Sequence, residues 1–532
     1  MEASARPSAA QKRLVLIAAI LGSSVVFIDS TVVNVALPAI EEDLGGGLAG
    51  QQWVSNAYLV TLSALILIGG SLGDIFGEKR IFSLGVVGFG VTSLLCAIAP
   101  TIEVLVLGRA LQGVFGALLT PAALAIIVAT FDEDERGGAV GSWTAWAGIG
   151  TVLGPLIGGQ LVDAASWRWI FAINLPLVAI DLVLINRAMP PTRPRPADAR
   201  VDYPGAIMCA VGLAAFTFGL IRQPEGGWGD PTVFVPLVGG VVLLVAFLLY
   251  EARASHPMLP LSLFRRRNFA AANAETLLVY AGLGLVFFFL VLFLQQVAGY
   301  SALEAGVTGL PVTIVMFVAS KRFGALADRY GPRFFMAGGP LVGAVGLALL
   351  LGVGADVDYL TDLLPGLMLF ALGLSLTVAP LTATVLADAD ERNAGIASGV
   401  NNAVARVASL VAIAAVGAVV AASFDAKLDS KLGARARSDP AIAAAVEKAK
   451  DQPLAVVESP PVVREATEDA SVEVFHIGMG ISALLVFGGG LLGFLIRNPR
   501  RKVKACDCPG GQLAGHPRAL YPERPELEPA KT

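Results

Sequence analysis

Charge is what this sequence has least of. Asp, Glu, Lys and Arg make up only 15% of its 532 residues, against about 25% in ordinary soluble proteins. That is too little to coat a soluble body of this length. The 38 Lys and Arg nearly cancel the 42 Asp and Glu, for a net charge of −4. Binding through bulk positive charge is thereby excluded, so no nucleic-acid partner is expected. The four cysteines (Cys96, Cys209, Cys506, Cys508) are too few and too scattered for a disulfide framework. Only three histidines occur, His256, His476 and His516, far apart in the chain. They assemble neither a metal site nor a Ser-His-Asp constellation. Cys506-x-Cys508 with His516 falls short of the four spaced ligands a metal needs. A phosphate-binding P-loop is also missing, which disfavours ATP as an energy source. The chain is therefore not expected to be an enzyme, and no cofactor is expected.

What is abundant is apolar surface. Hydrophobic residues make up 55% of the chain, and the mean hydropathy is +0.71. The 59 Gly and 31 Pro would suggest disorder in a polar chain, but in an apolar one they fit membrane helices. The fold class expected is an all-α polytopic membrane protein.

A membrane-crossing helix needs about 20 mainly apolar residues, and fourteen such stretches are present. Six lie near 14–38, 52–71, 81–99, 103–127, 138–162 and 168–187, two near 204–221 and 231–250. Six more lie near 269–295, 304–321, 334–353, 362–386, 394–422 and 475–497. The first is no cleavable signal peptide, because Asp29 interrupts it and no Ala-x-Ala-type site follows. The short loops on one side of this arrangement carry 19 Lys and Arg; those on the other carry only Arg168 and Arg222. The basic side is expected to be cytoplasmic. Basic residues from Arg497 to Lys504 put the C-terminus on that side too, which requires an even number of spans. A polar outer loop, 423–474, has an Ala-rich stretch at 440–450 with helical character. The tail 498–532, rich in Pro and charge, reads as disordered.

Two short patterns repeat. Gly70-Ser-Leu-Gly-Asp74-Ile-Phe-Gly77-Glu-Lys79-Arg80 returns as Gly324-Ala-Leu-Ala-Asp328-Arg329-Tyr-Gly331-Pro-Arg333, an offset of 254. Asp134-Glu135-Arg136 returns as Asp390-Glu391-Arg392, an offset of 256. Two matches at nearly one offset imply two related six-helix halves, here 14–190 and 269–497. Residues 1–13 precede them, and the pair of spans within 202–250 is inserted between them. Repeated halves around a midplane cavity are the plan of a secondary transporter. Gly70, Gly77, Gly324 and Gly331 suit close helix ends and tight turns. Asp74 and Asp328 could cap neighbouring helices and, with Arg329, form gating latches. Plain charged turns are the alternative.

The chain resembles the major facilitator superfamily and, within it, the fourteen-span drug:proton antiporters of the EmrB/QacA type. The resemblance runs from the first span to the last. It is carried by Asp29-Ser-Thr-Val-Val-Asn34-Val-Ala-Leu-Pro38, by Arg109-Ala-Leu-Gln112-Gly113, and by Gly150-x-x-x-Gly154-Pro155-x-x-Gly158-Gly159. Trp167-Arg168-Trp169-Ile-Phe171-Ala-Ile-Asn174-Leu-Pro176 adds to it. The first-half loop departs from the family pattern, with Ile75 and Glu78 where Arg is usual; the second keeps Arg329. The resemblance implies two six-helix bundles plus two central spans, and export of small lipophilic compounds in exchange for protons by a monomer in the cytoplasmic membrane.

Charges inside spans cost at least ~2.5–3.5 kcal/mol each, so each needs a reason. They are Asp29, Arg109, Asp181, Glu275 and Arg406. Asp29 lies about 15 residues into the first span, roughly 22 Å along it, where a carboxylate could hold a proton or a cationic substrate. The alternatives are a permanent ion pair or a cap at an unwound helix. Arg109 cannot deprotonate and must find acceptors; the resemblance implicates it in proton transfer. Glu275 is a second candidate for proton coupling. Asn34, Gln112, Asn402 and Arg406 are candidates for the polar lining of a substrate cavity, Asn402 and Arg406 sharing one helix face. Gly150, Gly154 and Gly158 share another face at a spacing that permits close approach. Pro155 bends that helix, which suits a leak-tight interface between halves; generic glycine packing is the alternative. Two further functions remain open: proton symport of a metabolite, and a non-transporting sensor using 423–474.

Overall fold

The structure is a computed structural model, and it describes residues 8–189, 202–255, 257–387, 394–450, 452–457 and 460–498. The side chains of Asp74, Asp134, Arg136, Asp328 and several residues of 141–152 lie outside that description, as do Glu391, Arg392 and the tail with Cys506, Cys508 and His516. Among the described residues the regular structure is helical. The helices are α1 (Ala9–Leu44), α2 (Gly47–Phe76), α3 (Glu78–Ala97), α4 (Ile102–Thr130), α5 (Glu133–Ala164), α6 (Trp169–Ala172), α7 (Asn174–Ala188), α8 (Tyr203–Gly226) and α9 (Pro231–Glu251). They continue as α10 (Arg267–Gln296), α11 (Ala302–Thr308), α12 (Leu310–Tyr330), α13 (Arg333–Leu349), α14 (Leu364–Ala387), α15 (Ala394–Ser438), α16 (Pro440–Lys450) and α17 (Pro461–Gly493).

Helices are what an apolar chain must form in hydrocarbon, because only they satisfy every backbone donor and acceptor within one segment. Twelve of the described segments are long and apolar enough to cross a membrane. Two more helices, α2 with 30 residues and α5 with 32, stand in the same bundle. The protein is thus a multi-pass membrane protein. The end of the bundle where α1 begins is its near face, and the opposite end is its far face.

Helix α1 packs on α5, α4 and α7, and α2 on α4. Helix α10 packs on α17 and α15, and α13 on α14 and α17. Glycine sets the closeness of several of these contacts. A Cβ on Gly69 would lie 2.2 Å from the Ala117 carbonyl oxygen, and one on Gly373 would lie 2.5 Å from that of Gly339. Helix α8 pairs with α9 and also lies against both α2 and α15. Leu213 of α8 is buried with Val60 and Ala64 of α2 and Leu410 of α15. Helix α9 instead turns Val241, Val242 and Val245 outward.

Three expectations needed adjustment. The sixth span is broken between Ala172 and Asn174, and the tenth between Thr308 and Leu310. The stretch 423–474 is not a polar loop. Helix α15 continues through it to Ser438, α16 covers 440–450 as its Ala-rich composition suggested, and α17 begins already at Pro461. Leu428, Leu432, Val446, Leu454, Val463 and Ala470 of this far-face extension are buried in the same core as Val35, Leu285 and Phe293 of the bundle. Apolar residues spaced along a charged sequence, rather than a continuous apolar run, hid these helical extensions.

The repeated turns share one backbone. Gly77 has φ +95° and closes α2 by donating its N–H to Gly73 O; Gly331 has φ +93° and closes α12 by donating to Ala327 O. Both are conformations only glycine adopts easily. Gly70 and Gly324 contribute less: a Cβ there would meet its nearest atom at 3.7 and 3.4 Å. In the first half the close-approach glycine is Gly69, one residue earlier. Arg329 is exposed and lies 5.4 Å from the Tyr330 ring.

Candidate functional site

Arg109 and Asp29 are partners. The two side chains are fully buried and form an ion pair between α4 and α1. The same Arg109 nitrogen donates to Gln112 Oε1 at 2.7 Å, and Nε donates to Val54 O of α2 at 3.1 Å. The second carboxylate oxygen of Asp29 accepts from Gln112 Nε2 at 2.9 Å and from Asn174 Nδ2 at 3.3 Å. Ser93 Oγ of α3 accepts from both amides, at 2.9 and 3.2 Å. The guanidinium carbon stands 4.3 Å from the centre of the Tyr58 ring. Five helices thus meet in one buried network around the Asp29 carboxylate. Asn174 can take part because the α6–α7 break leaves it as the first residue of α7. In the low dielectric of such a site, charge-assisted bonds are strong and an unpaired member is costly.

A cavity of about 480 Å³ lies among the helices beside Arg109. Its wall includes Phe27, Ser30, Thr31 and Asn34 of α1, Ser55 and Tyr58 of α2, and Arg109 of α4. Tyr280, Gly284 and Phe287 of α10 and Asn402, Arg406 and Ser409 of α15 complete it on the other side. Four candidates for coupling or lining are therefore on the wall: Asn34, Arg109, Asn402 and Arg406. Asp29 and Gln112 are not. They lie behind Arg109, which touches both the network and the cavity.

Glu275 is elsewhere. It is fully buried on α10, has no hydrogen-bond partner on either oxygen, and is not part of the wall. Asp181 of α7 is likewise unpartnered and lies against Gly22, where a Cβ would come within 2.7 Å of its Oδ2. Asn401, next to Asn402, turns away from the wall. Its Nδ2 donates to Thr276 Oγ1 at 2.8 Å, linking α15 to α10.

The glycine–proline stretch of α5 holds two seams. A Cβ on Gly154 would fall 2.1 Å from Thr31 Oγ1 and 3.0 Å from Ile28 O, and one on Gly158 would fall 2.4 Å from Val32 Cγ2. These two press α5 onto α1. A Cβ on Gly159 would lie 2.5 Å from Leu303 Cα, and one on Gly306 would lie 2.5 Å from Pro155 O. These two press α5 onto α11. Gly150 makes only ordinary contact, its nearest neighbour at 3.5 Å.

Further bonds tie α1, α2 and α5 to α10, α11 and α15 in the part of the bundle toward the far face. Gln52 Nε2 donates to Ile413 O at 2.8 Å and Gln295 Nε2 to Val35 O at 3.0 Å. Asp163 accepts from the Ala302 and Leu303 amides at 3.0 and 2.8 Å. Gln452 Nε2 of the far-face extension donates to Glu41 of α1. Nearby, Arg168 and Trp167 both hold Asp43 at the end of α1.

Ser93, Tyr58 and the Asn174 contact carried no signal of their own in the sequence. Serine and tyrosine are common in such helices, and Asn174 was visible only within the Trp167–Pro176 pattern.

The sequence profile described as Major Facilitator Superfamily matches residues 19–413. The chain belongs to the major facilitator superfamily. It is a membrane transporter and not an enzyme. A puromycin resistance protein of Streptomyces alboniger is 39% identical over 396 residues, covering 74% of this chain and 78% of the relative. A probable actinorhodin transporter of Streptomyces coelicolor is 36% identical, covering 76% and 72%. Among solved structures, a bacterial homologue of the human lysosomal transporter Spinster, in an inward-facing and unoccupied conformation, superposes with a TM-score of 0.63. It has 18% identity and covers 91% of this chain and 98% of that one.

Proposed function

We propose that this superfamily member exports small, largely lipophilic compounds across the cytoplasmic membrane in exchange for protons, with Asp29 as the coupling carboxylate. The observation that carries the reading is the position of Arg109, bonded to buried Asp29 on one side and forming cavity wall on the other. An ionised Asp29 holds the guanidinium against α1. A proton on Asp29 removes the charge that holds it, and the released guanidinium moves toward the space a substrate fills. Proton and substrate then alternate, as exchange requires. The relatives named for puromycin resistance and actinorhodin transport support export of toxic small molecules.

In this reading the chain crosses the membrane fourteen times, α2 and α5 joining the twelve apolar segments. Both termini and the near-face turns are cytoplasmic, and the monomer is the working unit. The halves 14–190 and 269–497 rock around the cavity. The turns at Gly77 and Gly331, with Asp74 and Asp328, work as latches, and Glu275 is a second protonation site. The inward proton gradient supplies energy, each charge crossing 100 mV contributing about 2.3 kcal/mol.

The test is proton movement in everted vesicles on adding candidate compounds to the protein and to its Asp29→Asn variant. Compound-induced proton release that vanishes in the variant supports the reading. Release that persists in the variant removes Asp29 as the coupling site, and no release with any transported compound removes proton exchange.

A further inference from the structure

The charge of the cavity wall points to a substrate class. Two arginines, Arg109 and Arg406, line the cavity, and among the described residues no Asp or Glu does. Arg109 is neutralised from behind by Asp29. Arg406 is not: among the described residues it makes no hydrogen bond, ion pair or ring contact. The titratable groups that face it are the hydroxyls of Tyr58 and Tyr280. The sequence from Thr144 to Val152 in α5 contains no acidic residue.

A guanidinium is permanently charged and carries five donors in a planar fork. Taken from water and left unpartnered, it is expensive, and here it is half-buried and lines the cavity. Its donors are therefore open to whatever enters. Tyr58, Tyr280, Phe27 and Phe287 supply aromatic wall around the same space. An organic cation placed there would meet a like charge in low dielectric, an arrangement that costs several kcal/mol.

We infer that the cavity takes aromatic compounds bearing a strongly accepting oxygen, such as a carboxylate, phenolate or conjugated carbonyl, with Arg406 as the recognising donor, and rejects organic cations of the same size. The inference rests on the cavity being the transport site, as proposed above. It narrows that reading, because Asp29 alone would favour a cationic substrate, whereas the carboxylate lies behind Arg109 and is closed to the cavity. A charge-assisted hydrogen bond of this kind corresponds to about tenfold in affinity.

The test is equilibrium binding of three matched fluorescent probes to the purified full-length protein in lipid nanodiscs: anthracene-9-carboxylate, 9-anthracenemethanol and 9-anthracenylmethylammonium. The carboxylate should bind at least about tenfold more tightly than the ammonium, with the alcohol between them. Arg406→Gln should abolish the ranking. Arg406→Lys, which keeps the charge and loses the fork, should keep the order with a smaller spread. Equal or tighter binding of the ammonium to the unmodified protein overturns the inference. So does a ranking that survives Arg406→Gln. If Arg406→Gln does not fold, the ranking in the unmodified protein and in Arg406→Lys decides. Binding needs no proton gradient, so a failure of proton exchange would leave the ranking intact. Conversely, a lost ranking beside intact proton-coupled transport would remove the substrate class alone.

Discussion

Asp29 is gripped on both oxygens at once: Arg109 takes one, and Gln112 and Asn174 take the other. A proton on the carboxyl group would remove the charge that strengthens all three of these bonds. The grip ranks the variants of this site.

Asp29→Asn leaves Arg109 buried without its counter-charge, a loss of about 3–5 kcal/mol when one member of such a pair is removed. The variant is expected to unfold at lower temperature and to lose proton-driven transport. Asp29→Asn combined with Arg109→Gln, which removes both charges, should recover much of the thermal stability and none of the coupling. Thermal unfolding in detergent and transport under an imposed pH gradient separate the two effects. Equal stability of the single and double variants would contradict the buried pair.

In the α5 stretch, Gly159→Ala is expected to be the most damaging substitution. Its Cβ meets backbone, at 2.5 Å from Leu303 Cα, and backbone cannot turn aside as a side chain can. Overpacking of this kind costs about 1–3 kcal/mol and would pry α5 from α11. Gly150→Ala has its nearest neighbour at 3.5 Å and should transport normally. Uptake assays in reconstituted vesicles, scaled to the amount of folded protein, give the comparison.

Gly77→Ala and Gly331→Ala force positive φ on a residue with a Cβ, at about 1–3 kcal/mol each. The two should depress the melting temperature by similar amounts, because the two turns share one geometry. Gly70→Ala should be near neutral, within about 0.5 kcal/mol. A large effect at Gly70 with none at Gly77 would mean that the helix face, rather than the turn, is what the repeat preserves.

Leu454 is fully buried at φ +69°. Replacing it with glycine relieves about 1–2 kcal/mol of backbone strain but removes a core side chain whose loss costs about 2–5 kcal/mol. Leu454→Gly should therefore be net destabilising by about 1–3 kcal/mol, read as a lower melting temperature. By the same logic a peptide spanning 423–474 should show little helix by circular dichroism. A stably helical, ligand-binding peptide would revive the sensor alternative.

The long apolar helices were legible in the sequence because lipid imposes one solution on an apolar chain. The two repeated turns were legible because Gly, Asp, Gly and a basic residue return at one spacing. Arg109 and Asp29 were visible singly, as charges where charges are expensive. Their pairing was not, since 80 residues separate them and nothing in either segment names the other. The helical extension through 423–474 escaped because its buried face alternates with charged residues and because its core belongs to distant helices. Glu275, eight residues after Arg267, reads as a weaker candidate in a vestibule on the cytoplasmic side. Only the rotation of α10 shows that it lies off the cavity wall.

Helix α8 has a consequence for how molecules reach that wall from the bilayer. It buries Leu213 between α2 and α15 and lays Leu220 and Ile221 beside Ala414. In the proposed two-half reading, the seam between α2 and α15 is plugged at these contacts by a helix that belongs to neither half. Parting those two helices toward lipid would strip α8 of its buried side, so the plug travels with the seam instead of letting it gape. In the transport reading proposed above, a lipophilic molecule dissolved in the membrane would find this flank covered by α8.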